Sequence, residues 1–312
     1  MKSTRFGARA HTRIPPKNWI KTVQHIEELG YSTIFEDDHF GTFNYDPIVL
    51  LSVAAAATKK INLGTLVFDV DYRHPVILAR TAAALHLLSG GRFEFGIGAG
   101  WDQRDYDMAG IQFDKPIVRI RRLDEALTII RNMWTQEKTS FKGRYYNLSE
   151  MVQAGELPTG EHPKIMVGGG GKQLLTVAGR HADIVGISLD LRLIRRDSPL
   201  ITLADVNKRI GWVKDSARKS GRDPEEIEFQ MEFPRAVITE DPEPLFEQYA
   251  KRYGESVDVI KAHPQALAGT VDEMVDKLLM IREETDISYM VFEPTKVEAF
   301  EIFANKVIPA IS

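Results

Sequence analysis

Apolar residues follow two rhythms along this chain. Short runs at residues 5–10, 33–35, 61–67 and 93–97 read as strands, and their starts at 5, 33, 61 and 93 lie about one strand-helix unit apart. Trp19, Val23 and Ile26 share one helical face between the first two, and residues 47–58 form a second helix. Ile120, Leu123, Leu127, Ile130 and Trp134 fall on one stripe, as do Leu203, Val206, Ile210, Val213 and Ala217 within 203–220, and 271–282 reads as a helix too. Further strands are expected at 164–167, 183–187, 227–231 and 289–292. Eight strands alternating with helices predict an α/β chain folded as a (β/α)8 TIM barrel rather than a doubly wound sheet.

Three stretches break the period: about 138–163, which holds the hairpin-like TSFKGRYYNL, then 188–202 and 232–268. No linker or low-complexity tract divides the chain, so residues 1–312 read as one domain with insertions. Insertions that follow a strand fall on the carboxyl face of the barrel, where they can cover a substrate.

Composition narrows the picture. Of 312 residues, 43% are hydrophobic, enough for a large core. Forty Lys and Arg against 44 Asp and Glu give a net charge of -4, which argues against nucleic acid as a partner. Without cysteine there is no disulfide, thiolate nucleophile or cysteine-bound metal. The first dozen residues lack the apolar core of a signal peptide, and the longest apolar run, 47–57, is far short of the roughly 20 residues a membrane helix needs. A soluble, cytoplasmic protein acting on a small molecule is expected.

Residues 72–101, YRHPVILARTAAALHLLSGGRFEFGIGAGW, are the densest in information. A helix ends at Ser89-Gly90-Gly91, and a strand through Phe93, Phe95 and Ile97 follows. Gly96, Gly98 and Gly100 carry no side chain, so a flat group could approach the main chain there, and Trp101 could wall it. Close packing inside the barrel is the alternative. The G-x-G-x-x-G dinucleotide pattern fails, because Trp101 stands where its third glycine belongs.

Three other segments could carry chemistry. FEDDHFGTF sets Glu36, Asp37, Asp38 and His39 at a strand exit, where a histidine beside a carboxylate can exchange protons near neutral pH. The plain alternative is that the acids cap the next helix and His39 satisfies a loop. A metal held by Asp37, Asp38 and His39 would make the chain a hydrolase, but the other strand ends offer no matching histidine, so none is expected. Gly168, Gly169, Gly170, Gly171 and Lys172 lie between a strand and a helix, an arrangement suited to a phosphate. It is not a Walker loop, since Met166 and Gln173 occupy required positions. Arg73 and His74 either meet an anion or simply precede a helix that opens at Pro75.

DDH at 37–39, RHPVILAR at 73–80, LSGGRFEFGIGAGW at 88–101, IMVGGGGKQLLTVAGRHAD at 165–183 and GTVDEMVDKL at 269–278 resemble the bacterial-luciferase-like superfamily of flavin and deazaflavin oxidoreductases. The resemblance covers nearly the whole chain. It implies a redox ring against the third and fourth strand ends, contacted by Leu66, Val67, Gly98, Ala99, Gly100 and Trp101. The phosphate arm would reach Gly168 to Gly171 and Lys172. It also implies a non-proline cis peptide involving Leu66, Val67 or Phe68, and a homodimer. The continuous GIGAGW and the DDH pair look most like the subgroup that uses coenzyme F420, with Asp38 and His39 as the catalytic pair. The sugar-phosphate dehydrogenases of that subgroup carry a glutamate after the fourth strand, whereas this chain reads Ala99-Gly100-Trp101. An FMN-dependent monooxygenase would use the same pocket, and a non-catalytic flavin-binding protein would hold the ring without turnover.

Overall fold

Strand exits set the site, so the strands come first. In the computed structural model they are β1 (Arg5–Arg9), β2 (Thr33–Glu36), β3 (Asn62–Thr65), β4 (Phe68–Asp69), β5 (Phe93–Gly98), β6 (Lys138–Lys142), β7 (Asn147–Val152), β8 (Lys164–Gly169), β9 (Ile184–Ile187), β10 (Glu228–Ile238), β11 (Ala268–Gly269) and β12 (Ile287–Pro294). The residues described are 3–9, 14–41, 45–152, 157, 161–189, 201–294 and 297–311. Pairing runs β1-β2-β3-β5-β8-β9-β10-β12 and returns from β12 to β1, parallel throughout. That closes the expected eight-stranded TIM barrel. The eight barrel strands are those read from the pattern of apolar runs.

The helices that matter here are α1 (Trp19–Glu28), α2 (Pro47–Ala57), α3 (Pro75–Leu88), α4 (Gln103–Ala109), α5 (Pro116–Thr135) and α6 (Lys172–His181). They are followed by α7 (Leu203–Lys219), α8 (Glu243–Tyr253), α9 (Val257–Ala262) and α10 (Val271–Glu284). The buried face of α1 consists of Trp19, Val23 and Ile26. In α5 the stripe Leu123, Leu127, Ile130 and Trp134 is buried, and in α7 Val206, Ile210, Val213 and Ala217. Gly90 and Gly91 end α3 with φ of 71° and 85°, which a side chain resists.

The barrel lumen is filled in layers. At the amino end Arg5 meets Glu94 at 2.5 Å and Glu228 at 2.6 Å, with its guanidinium 3.6 Å over the Tyr289 ring. Next comes a dry layer of Phe35, Met166, Ile184, Tyr289 and Val291, on which Leu66 and Val67 rest. Gly7 and Gly64 make room for the Phe35 ring. At the carboxyl end Arg9 pairs with Asp37, with Glu232 at 2.5 Å and with Glu293 at 3.3 Å.

Two expectations need correction. The strand expected at 227–231 runs on to Ile238 as β10, because its ladder with β12 shifts register between Pro234 and Ala236, where Arg235 takes φ of 57°. The excursion expected over 232–268 is therefore the end of β10, then α8, α9 and β11. Within 138–163, β6 and β7 form the antiparallel hairpin, and Glu125 of α5 accepts the backbone N–H of Arg144 and Tyr145 at its turn. Residues 190–200 of the second insertion lie outside the described residues, as do Ala10, Thr42 and Phe43. Among the described residues no helix is long and apolar enough to cross a membrane.

Candidate active site

The three acids leaving β2 do not converge. Asp37 turns into the lumen toward Arg9. Asp38 accepts Arg73 Nη1 at 2.6 Å and the backbone N–H of Asp69 at 3.1 Å. Arg73 also reaches Asp46 at 2.8 Å, and Asp46 caps α2 through the N–H of Ile48 and Val49. Glu36 is buried with Oε1 unpartnered, and burial pushes its carboxyl well above the usual range. Burial raises Asp38 as well, against the pull of Arg73. Among the described residues no group of three or more metal-ligating side chains assembles.

His39 finds a different partner from the one expected. Its Nδ1 lies 2.5 Å from Oδ2 of Asp105, a buried residue of α4. The carboxylate accepts, so Nδ1 carries the hydrogen and Nε2 is left for proton exchange. The imidazole edge meets the indole of Trp101, ring centres 5.4 Å apart. Asp38, expected beside His39, instead joins the β2 exit to β4 and α2 through Arg73. Its carboxylate is already occupied by charge-assisted bonds, which is why it does not serve His39.

The glycines of β5 also differ from expectation. A Cβ on Gly98 would stand 2.9 Å from Val67 Cγ2 and one on Gly168 3.4 Å from Val67 Cγ1, while one on Gly96 would first strike the Thr65 carbonyl oxygen. Glycines on two adjacent strands thus form a slot that Val67 fills, so the bare main chain near Gly98 is covered by Val67. The peptide joining Leu66 to Val67 is cis. Both residues are half-buried and present an apolar ledge at the carboxyl mouth. Gly100 has φ of 68°, and a Cβ there would run into the Tyr106 hydroxyl and the Asp69 carboxylate. Buried Arg119 donates from Nε to the Ala99 carbonyl at 2.9 Å and from Nη2 to the Gly100 carbonyl at 3.2 Å, which fixes the strand exit before Trp101.

The glycine quartet has one open member. A Cβ on Gly169 would strike Leu174, and one on Gly170 the Ser188 carbonyl. Gly171 has nothing within 4 Å and caps α6 without any side-chain bond, which leaves room for an acceptor at the start of that helix. Arg209 Nε donates to the Gly170 carbonyl at 3.1 Å.

A profile of the luciferase-like monooxygenases matches residues 1–274. The chain belongs to this family. It is 28% identical over 176 residues to the F420-dependent glucose-6-phosphate dehydrogenase of Amycolatopsis mediterranei, covering 54% of this chain and 52% of that protein. With the protein of the same name from Kribbella flavida it shares 28% over 255 residues, 78% of this chain and 72% of the relative. The matched region thus spans only about half the length of the first of these relatives. An F420-dependent secondary alcohol dehydrogenase, solved in complex with an F420-acetone adduct, superposes with a TM-score of 0.84 at 20% identity over 99% of each chain. That likeness is one of fold.

In this luciferase-like barrel, the residues that sequence reading missed sit on α4, α5 and β4. Asp105 and Tyr106 follow Trp101 in an acidic run that includes Asp102 and Asp107, and that run was the available signal. Tyr106 bonds Asp69, whose carboxyl burial pushes up to about 6. Of the RHP residues, Arg73 is taken up by aspartates, while His74 caps α3 by accepting the Val76 N–H at 3.3 Å. The plain helix-start reading holds for His74 and Pro75.

Proposed function

We propose that this chain is an F420-dependent oxidoreductase that passes a hydride to or from a small, partly apolar organic molecule. The observation that carries the reading is one mouth of the barrel holding three things together. These are the Leu66–Val67 ledge, the His39–Asp105 pair beside Trp101, and the uncapped start of α6 at Gly171. The names of the relatives support the same cofactor.

The residues present fit such a group. Val67 and Leu66 would seat the ring, with Ala99, Gly100 and Trp101 beside it and Gly98 and Gly168 holding Val67 in place. Gly171, Lys172 and the first amides of α6 would take the phosphate arm, with Gly169 and Gly170 shaping the loop. F420 when bound supplies a two-electron hydride donor or acceptor. The chain itself orients the partners and handles the proton: Nε2 of His39 gives or takes it at the substrate oxygen, while Asp105 holds the imidazole. Asp38 acts as a positioning residue through Arg73. Exposed Trp101 and Phe40, each beside the His39–Asp105 pair, would give the pocket an apolar rim.

The family to which the chain belongs favours a second reading, an FMN-dependent monooxygenase. Side-by-side fluorescence titrations with F420 and FMN decide between them. Micromolar F420 binding with weak FMN binding is expected, and the reverse selects the monooxygenase. Binding of neither removes both.

We also assign a homodimer, formed through α2 and α3. Val49, Val53, Ile77 and Leu88 are exposed on these adjoining helices, an apolar area that an isolated chain would leave in water. Sedimentation of the wild type and of a Leu88→Lys variant tests it, with a monomeric wild type as the contrary result.

A further inference from the structure

Tyr106 is fully buried and its one hydroxyl touches three carboxylate oxygens. Oη lies 2.9 Å from Asp69 Oδ1, 2.8 Å from Asp69 Oδ2 and 2.9 Å from Asp71 Oδ2. A phenol has a single proton to donate. If both aspartates were ionised, one would face the phenol oxygen lone pair to lone pair at hydrogen-bond distance. One carboxyl must therefore carry a hydrogen and donate it.

The surroundings decide which. Asp71 is ion-paired to Arg122 of α5, with Nε 2.8 Å from Oδ1 and Nη2 donating at 2.8 Å to Oδ2, and Arg122 is itself fixed by Asp114 at 2.6 Å. That guanidinium supplies Asp71 with a counter-charge. Among the described residues Asp69 touches no cation. It receives the N–H of Asp71 at 2.9 Å, and its own backbone N–H goes to Asp38, a carboxyl that shares Arg73 with Asp46 and whose charge still presses on Asp69. Tyr72 and Tyr146 also feel its charge.

The location gives the cluster its consequence. Asp105 and Tyr106 are consecutive residues of the short helix α4, the first held by His39 and the second by the aspartates of the β3–α3 connection. Gly100, whose missing side chain leaves room for Tyr106 and Asp69, leads directly into Trp101. We propose that Tyr106, Asp69 and Asp71 form a proton-dependent latch: with Asp69 in its acid form the latch fastens α4, and α4 places Asp105 against His39. When Asp69 loses its proton to water, two carboxylates confront one phenol and α4 loosens. Tyr106 and Asp69 are positioning residues, and the effect on turnover rests on the proposed role of His39.

Amide hydrogen exchange along Gln103–Ala109, measured on the cofactor-free protein between about pH 5 and pH 8 and corrected for intrinsic exchange, tests the latch directly. In the wild type, protection should fall on the order of 10-fold as pH rises through that range, whereas Asp69→Asn should hold it constant. A flat wild-type profile, or the same fall in Asp69→Asn, overturns the proposal. Tyr106→Phe should lose protection at every pH, and where it does not fold, the Asp69→Asn comparison stands by itself. Turnover with F420 provides the second readout: kcat should decline more steeply over the same pH range in the wild type than in Asp69→Asn, where only the titration of His39 remains, with cofactor affinity level. Absent turnover beside an intact exchange result counts against the F420 reading and supports the latch.

Discussion

His39 and Asp105 stand 66 positions apart in the chain and 2.5 Å apart at the barrel mouth. Strand β2 delivers one and helix α4 the other, so the pair exists only once the fourth strand has closed beside the third. A histidine oriented by a buried carboxylate is held in one tautomer, which is what proton exchange through Nε2 requires.

Removal of that imidazole should affect turnover rather than binding. His39→Ala should lower kcat on the order of 100-fold while F420 affinity, followed by fluorescence quenching, changes little. Asp105→Asn should lower kcat less and alter its pH profile. Undiminished turnover in His39→Ala would take His39 out of the mechanism.

Val67 and Gly98 make a paired prediction. Gly98→Ala places a methyl 2.9 Å from Val67 Cγ2 and should cost about 1–3 kcal/mol in chemical denaturation. Val67→Ala in the same chain should recover part of the loss, giving a coupling energy that two independent sites would not show. Strict additivity would mean that Val67 does not occupy the slot.

The two ends of the glycine quartet should respond differently. Gly171→Val adds bulk in open space at the start of α6, so it should weaken F420 binding with little change in Tm. Gly169→Val pushes on Leu174 and should lower Tm first. Equal F420 affinity in Gly171→Val and wild type would move the phosphate arm elsewhere.

Asp69 gives the pH dependence of stability. Burial pushes its carboxyl up to about 6, so the folded chain binds this proton more tightly than the unfolded chain does. The contribution is complete below the ordinary aspartate range and disappears as pH climbs through about 6, on the order of 3 kcal/mol in all. Denaturation of wild type and Asp69→Asn across that interval should show a falling difference in favour of the wild type at low pH. Parallel curves would contradict it.

The barrel was legible because its strands are apolar runs spaced by amphipathic helices, and both periods survive in Trp19, Val23 and Ile26 or in Leu123, Leu127 and Ile130. Strand β4, two residues long, has no period to read, and β10 outran its apolar core by way of the bulge at Arg235. The site was half legible. The DDH, GIGAGW and GGGGK segments announce themselves through composition at strand ends. What they touch does not: Asp105, Tyr106 and Arg119 act through partners brought near by closure of the barrel. Glycine marks a place where something comes close, and no local pattern says whether that is a ligand or, as at Gly98, a valine.

Phe35, Met166, Ile184, Tyr289 and Val291 make the lumen solid beneath Val67. That plug closes the approach to the ledge from the amino end of the barrel. If the coenzyme takes the deeper seat on the ledge, as proposed, and the reactant the shallower one, initial-rate patterns of a compulsory order, coenzyme first, are expected.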